Sequence, residues 1–268
     1  MTQPAAPATP SLRAPKFLTL RAITALMLRE MVSTYGRSPG GYFWAVAQPI
    51  GAITVLAIAF SFLFRSPSLG TSFPLFYATG FLPYFMFLDI SSKVGRSLSF
   101  SRALLAYPTV TWLDALLARF FLNAMAQALV SLIVFGGILL IYDLRIIVDL
   151  PTILFAYSMV LALGMGFGVM NAFLFMRFTV WERIYAIIMR PMFFLSFVLF
   201  LYETVPMPYR EWLWWNPMGH LTGEMRDGFY ASYEATWVSP SYVFGIAFAL
   251  TAMGLMLLRK YHQDLLSR

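Results

Sequence analysis

Six stretches of predominantly apolar residues, at 42–64, 73–90, 116–142, 151–175, 184–202 and 242–258, dominate the chain. A helix rising about 1.5 Å per residue needs about 20 residues to cross a hydrocarbon core, so each stretch suits one crossing. In lipid every backbone N–H and C=O must be paired within the protein, which a helix achieves by itself and an open strand does not. The pattern therefore predicts an all-α integral membrane protein with six transmembrane helices. Composition agrees, with 60% hydrophobic and only 12% charged residues, against about 25% charged in a soluble domain.

The net charge of +7 reads as topology and not as nucleic-acid binding, because Lys and Arg collect on the cytoplasmic side of membrane proteins. With the N-terminus inside, fifteen of the 19 Lys and Arg residues fall in cytoplasmic segments, among them Arg29, Arg37, Lys93, Arg96, Arg102, Arg119, Arg177, Arg183 and Arg190. Arg65, Arg145, Arg210 and Arg226 fall outside. Both termini are expected in the cytoplasm. With no cysteine, disulfides, iron–sulfur clusters and thiol chemistry are excluded.

Residues 1–16, rich in Pro, Ala and Thr and lacking a signal-like apolar core, are expected to form a disordered cytoplasmic tail. Residues 17–38 place Phe17, Leu20, Ile23, Met27 and Met31 at three- and four-residue spacing. That spacing predicts an amphipathic helix on the inner membrane surface, serving as an anchor or as a contact for a cytoplasmic partner. The transmembrane domain then occupies 39–268. Tyr35 to Gly41, with Pro39 and three glycines, reads as a hinge into the first span.

Residues 211–230, EWLWWNPMGHLTGEMRDGFY, are too polar for a crossing and must return to the same side. They are expected to form two outer re-entrant half-helices between helices 5 and 6, broken at Asn216-Pro217, with asparagine as the cap and proline in the first turn. Trp212, Trp214 and Trp215 would sit at the outer interface, while Glu224, Arg226 and Asp227 reach water or one another. A loop resting on the membrane surface is the alternative.

Chemistry of the enzymatic kind is missing from the sequence. There is no HExxH, GxSxG or paired-Asp motif, and the two histidines, His220 and His262, lie far apart. No catalytic residue and no metal ligand is assigned, and His220 reads as a hydrogen-bonded structural side chain. Gly164 and Gly168 suit close helix packing. No lysine follows a glycine, so the chain has no GxxxxGK[ST] phosphate loop, and driven transport would need a gradient or another subunit. A membrane enzyme of polysaccharide assembly would need clustered polar groups, and a gradient-driven carrier would show internal repeats and mid-membrane charge pairs.

Four stretches carry a family resemblance: YGRSPGGYFWAVAQPI at 35–50, LLAYPTVTWLDALLAR at 104–119, FTVWERIYAIIMRPMFFLSFVLF at 178–200 and NPMGHLTGEMRDGFYASY at 216–233. In this order they resemble the permease subunit of bacterial ABC exporters of capsular polysaccharide, the KpsM type. The resemblance implies an ABC-2 type permease fold in the bacterial inner membrane and a partnership with a second copy of the chain and two cytoplasmic ATPase subunits. Those subunits would bind ATP and Mg, leaving this chain without a cofactor. It also implies a periplasmic co-polymerase or adaptor and a lipid-linked polysaccharide as cargo. O-antigen or teichoic acid permeases share the pattern.

Placed on that frame, 91–112 is either a solvated loop or the element docked in the ATPase, through Lys93, Arg96, Arg102, Leu104, Leu105, Tyr107 and Pro108. Arg37, with Arg177 and Arg183, is expected to receive the phosphate of a lipid-linked substrate or of any anionic lipid; Arg177, Arg183 and Arg190 form a second basic group at the inner mouth, with Glu182 as a local partner for one of them. Tyr84 and Asn123, polar groups within helices 2 and 3, are candidates for the translocation path or for packing contacts. The outer mouth would comprise Trp212, Trp214, Trp215, Asn216, Pro217, His220, Glu224 and Arg226.

Overall fold

The computed structural model describes residues 18–35, 40–105 and 110–267. The 1–16 tail, Arg37, Tyr107 and Pro108 lie outside the described residues, as does most of the expected hinge. Ten α-helices run in chain order among them: α1 (Leu18–Tyr35), α2 (Gly41–Ser61), α3 (Phe73–Gly95), α4 (Ser97–Ser101), α5 (Trp112–Ile141), α6 (Leu150–Arg177), α7 (Trp181–Leu195), α8 (Tyr209–Trp214), α9 (Pro217–Phe229) and α10 (Pro240–Ser267). Five of them, α2, α3, α5, α6 and α10, are long and apolar enough to cross a membrane.

The fifth apolar stretch departs from expectation. Instead of one helix over 184–202, it forms the 15-residue α7 and then non-helical chain to a short 3-10 turn at Tyr202–Thr204. Pro191 lies inside α7 and withholds one of its backbone donors. Phe197, just past the helix end, has a φ of 59°, a left-handed conformation uncommon for a bulky side chain. The segment nevertheless follows α3 in the antiparallel sense: Arg96 meets Glu182, Ser91 meets Tyr185, Tyr84 meets Met189, and Gly80 lies against the Val198 backbone. A Cβ on Gly80 would come within 2.9 Å of the Val198 Cα, so only glycine admits the non-helical chain so close.

α3 and α6 form the centre, with α10 on the far side of α6. The glycines at 164–168 make this possible. A Cβ on Gly168 would lie 2.7 Å from that of Val94 in α3, and one on Gly166 would lie 2.7 Å from the Ala247 carbonyl oxygen in α10. Without hydrophobic driving force between helices in lipid, this backbone proximity supplies the van der Waals contact that holds them. α3 extends past the expected Ile90 to Gly95, so Ser91 to Lys93 belong to the helix. α5 begins at Trp112, where a capping box joins Thr111 and Asp114. The Thr111 N–H donates to Asp114 Oδ2 at 2.9 Å, and the Asp114 N–H to Thr111 Oγ1 at 3.2 Å.

At the end of the bundle where α3 finishes, α1 lies against α5. Its protein-facing side is Ile23, Leu26 and Glu30, with Met27 packed beside them, while Leu20 and Met31 of the apolar stripe are exposed. Glu30 is only 6% exposed and Arg119 of α5 only 7%, and Arg119 Nε stands 3.0 Å from Glu30 Oε1. A buried charge without its partner is strongly unfavourable, so this pair sets the register of α1 on the bundle.

Candidate functional site

Between α3 and α7 runs a cleft of 570 Å³. Phe81, Tyr84 and Phe85 form one wall, and Tyr185, Met189 and Phe193 the other. Tyr185 and Met189 are one turn apart and point inwards. The Tyr84 hydroxyl donates to the Met189 carbonyl, and its ring stands edge-on to Phe193 at 5.5 Å. Ser91 Oγ and the Tyr185 hydroxyl are 2.7 Å apart. Tyr84 thus lies at the cleft and packs across it. Asn123 does not: it is buried in α5 and donates back to the Arg119 carbonyl at 2.7 Å.

Charged side chains close the cleft where α3 ends. Arg96 Nε donates to Glu182 Oε1 at 2.7 Å across the gap between α3 and α7. Glu182 was expected to pair within its own basic cluster, yet antiparallel packing delivers Arg96 to it. A second, adjoining cleft of 470 Å³ shares Arg96, Phe175 and Glu182 and adds Glu30, Lys93, Phe100 and Arg119. There Lys93 pairs with Asp89 at 2.9 Å, Asp89 also accepts from Gln127 at 2.9 Å, and the Arg119 guanidinium lies 4.1 Å from the Phe100 ring centre. Desolvation holds the Glu30 carboxyl above its ordinary range, against the pull of Arg119.

The expected coupling residues therefore divide. Lys93 and Arg96 are engaged in ion pairs on α3 and at its end. Leu104 and Leu105 are half-buried, the first against Ile23, Leu26 and Ala118 and the second against the central core. Arg102 is exposed in the turn after α4. Arg177 and Arg183 are also exposed and line neither of these two clefts. Arg177 sits 5.5 Å from the Phe178 ring centre, in a separate groove with Trp181 and Ile184.

At the opposite end, the chain between α7 and α10 forms the two short helices α8 and α9, broken at Asn216-Pro217. Asn216 caps α9, accepting from the Met218 N–H at 3.1 Å, with Pro217 in the first turn. The Asn216 Nδ2 also donates to the Leu195 carbonyl, tying the cap to the end of α7. Trp212 and Trp215 are 68% and 66% exposed, while Trp214 is half-buried and stacks on Tyr242. His220 is fully buried. Its Nδ1 accepts from the Ser239 N–H at 3.2 Å, which leaves Nε2 to donate to the Trp214 carbonyl at 2.9 Å. Burial pushes its pKa below 6.5.

Arg226 corrects the expectation that it reaches water with Glu224 and Asp227. It is 1% exposed and donates from Nη1 to the Phe200 carbonyl at 2.9 Å and from Nη2 to the Val198 carbonyl at 3.0 Å. Its guanidinium lies 4.3 Å from the Phe76 ring centre. Burial lowers its pKa to about 10, leaving it cationic at neutral pH. Two carbonyls of the non-helical chain that follows α7 are thus taken up by an arginine of α9. Glu224 is half-buried, with its carboxyl raised by burial and by Asp227, and Asp227 accepts from the Ala235 N–H at 3.0 Å.

Glu30 and Arg119 are not singled out as site residues by the sequence. The available signal is an arginine inside an apolar stretch, which holds for Arg119 within 116–142. Of the second basic group, Arg190 lines the α3–α7 cleft, and Arg177 and Arg183 do not.

The family model of ABC-2 type transporters matches residues 21–230. The polysialic acid transport protein KpsM of Escherichia coli is 24% identical over 245 residues, which cover 91% of this chain and 95% of KpsM. The capsule polysaccharide export inner-membrane protein CtrC of Neisseria meningitidis serogroup B is 24% identical, covering 90% of this chain and 91% of CtrC. BexB of Haemophilus influenzae, also described as a capsule polysaccharide export inner-membrane protein, is 24% identical with coverage of 90% and 91%.

Proposed function

Because the chain belongs to the ABC-2 type transporter family, we propose that it is the membrane subunit of an ATP-driven exporter that carries lipid-linked capsular polysaccharide out of the cytoplasm. The observation that carries this reading is end-to-end similarity: relatives described as polysialic acid transport or capsule polysaccharide export proteins match it over nine-tenths of both lengths. The aromatic cleft supports it, since sugar rings pack their apolar faces on aromatic side chains. The missing phosphate loop supports a separate ATPase, which would hold ATP and Mg.

In this reading the chain makes six crossings, the fifth being α7 completed by the non-helical 196–201. Both termini face the cytoplasm, in keeping with the distribution of Lys and Arg. The end bearing α1 and α4 is then the ATPase side. Arg102 and the exposed Phe100 are presented there to the ATPase, while Leu104 and Leu105 fix the turn to the bundle. A second copy of the chain completes the pathway, and a periplasmic adaptor receives the polymer. α8 and α9 line the outer mouth as re-entrant half-helices, since non-helical backbone such as 196–201 is tolerated at membrane depth only against protein or water.

Deleting the gene in the bacterium that carries it tests the reading. Loss of surface polysaccharide with polymer accumulating inside the cell, both reversed by the intact chain, is the expected result. Unchanged surface polysaccharide would contradict it.

A further inference from the structure

The connection from α5 to α6 is an extended chain whose burial alternates residue by residue. Leu144, Ile146 and Val148 pack on the core around Phe135 and Phe229, while Arg145 and Asp149 are exposed and Ile147 is 83% exposed. A two-residue period is that of a β-strand, and Ile-Ile-Val is a composition that favours one. Among the described residues, however, no strand pairs with it. The N–H groups of residues 145 to 148 donate to no described group, whereas the Asp149 N–H donates to the Gly228 carbonyl at the end of α9 at 2.9 Å. In a chain of this period the N–H groups of Arg145 and Ile147 share a side with that of Asp149. Pairing thus starts at Gly228 and does not continue.

A groove of 400 Å³ opens along the segment, with Gly70 to Ser72 and Tyr230 to Ser232 as its other walls. Those two walls touch, since a Cβ on Gly70 would lie 2.6 Å from the Tyr230 ring. An exposed edge of unpaired backbone groups is a template for another strand, which natural proteins cover or pair. We propose that 144–149 is the docking edge for an extended segment of a separate protein, added antiparallel in this groove. Charge specifies that segment. Arg145, Ile147 and Asp149 stand at alternate positions on the exposed face, so the complementary strand reads, from its N-terminus, basic, any, β-branched, any, acidic. The ion pair of Arg145 with Asp143 is 4.0 Å long and open to solvent, so Arg145 can turn to such a partner. The 145–149 segment itself reads in that way, but in a second copy its inner face is packed on that copy's own core, and the walled groove admits a lone strand. The orientation given under Proposed function puts the partner outside the cytoplasm; the pairing itself does not rest on it.

The test titrates the full-length chain in phosphatidylcholine nanodiscs with three labelled peptides: acetyl-TKTVTET-amide, its charge-exchanged isomer acetyl-TETVTKT-amide, and the first peptide N-methylated at valine. Wild type should bind the first about tenfold or more tightly than either of the others, because the isomer sets like charges opposite one another and the methyl group removes a main-chain donor. Ile147→Pro should weaken binding of the first peptide about fivefold or more, and Ile147→Thr, which keeps the N–H, should retain it. The Ile147 N–H is unpaired in the free chain, so the proline removes no bond on which folding depends. Equal binding of all three peptides would mean partition onto an apolar surface and would overturn the proposal, as would no binding by wild type, tighter binding of the isomer or equal binding by Ile147→Pro. A disulfide-linked dimer of Ile147→Cys, formed on oxidation in membranes of this otherwise cysteine-free chain, would assign the edge to a second copy and overturn it too. Neither the ATPase nor the polymer is needed, so the proposal and the export reading can fail separately.

Discussion

Arg226 of α9 donates to the carbonyl of Val198 at 3.0 Å, joining a helix after the fifth apolar stretch to the point where that stretch stops being helical. The same guanidinium reaches Phe200. Replacing it by methionine, of similar length and without donors, leaves two carbonyls of buried chain unpaired, each at a cost of about 1–3 kcal/mol. Thermal unfolding in detergent should shift down strongly for Arg226→Met and less for Arg226→Lys, which keeps a charge and a donor nitrogen but lacks the guanidinium fork. An unchanged transition in Arg226→Met would show that other groups satisfy the 196–201 segment.

Glu30 and Arg119 form the second buried arrangement with a sharp prediction. Breaking a buried pair by removing one partner costs about 3–5 kcal/mol, because the remaining charge is left uncompensated. Glu30→Gln and Arg119→Gln should each destabilise the chain, and the double variant should be less destabilised than the sum of the two. Strict additivity in that double-mutant cycle would mean that the pair does not hold α1 on α5.

His220 makes stability depend on pH. Its folded-state pKa lies below 6.5 because it is buried and neutral, with Nδ1 accepting from Ser239. Below that value the unfolded chain binds the proton more readily than the folded one. The stability that His220 contributes is therefore complete above about pH 6.5 and is lost as pH falls. Melting curves between about pH 7.5 and 5.5 should show a decline that is shallower in His220→Gln. Parallel declines in both would assign the effect to other groups.

Arg96 and Glu182 bridge α3 and α7 in a half-exposed setting, where an ion pair adds little stability. Its effect is expected in transport. Arg96→Glu should reduce surface polysaccharide, and the exchange Arg96→Glu with Glu182→Arg should restore it. Arg102→Glu, whose proposed role is towards the ATPase, should gain nothing from the Glu182 change. Equal export by the single and exchanged variants would remove the pair from the pathway.

Much of this architecture is legible in the sequence because it follows from one-dimensional patterns. The apolar stretches mark the helices, and Asn216-Pro217 marks the break between α8 and α9. The glycines at 164–168 mark a close helix contact. What escaped is set by partners distant in sequence. Nothing around Arg226 announces that it meets Val198, and Glu182 has three arginines within eight residues yet pairs with Arg96. Glu30 interrupts the apolar stripe of α1 and so looks solvent-facing until Arg119 is set beside it. Hydropathy also cannot see the end of α7 at Leu195, since the residues after it are as apolar as those before.

We propose that glycan passes through the α3–α7 cleft. It is tested most directly by placing a photoreactive benzoylphenylalanine at Phe193, inside the cleft, or at Phe248, exposed on α10, in cells that make the native polymer and whose ATPase is blocked in hydrolysis. Illumination should attach polysaccharide to the Phe193 variant and not to the Phe248 variant. Attachment at both positions alike, or none at Phe193 in a variant that exports normally once the block is lifted, would contradict the account.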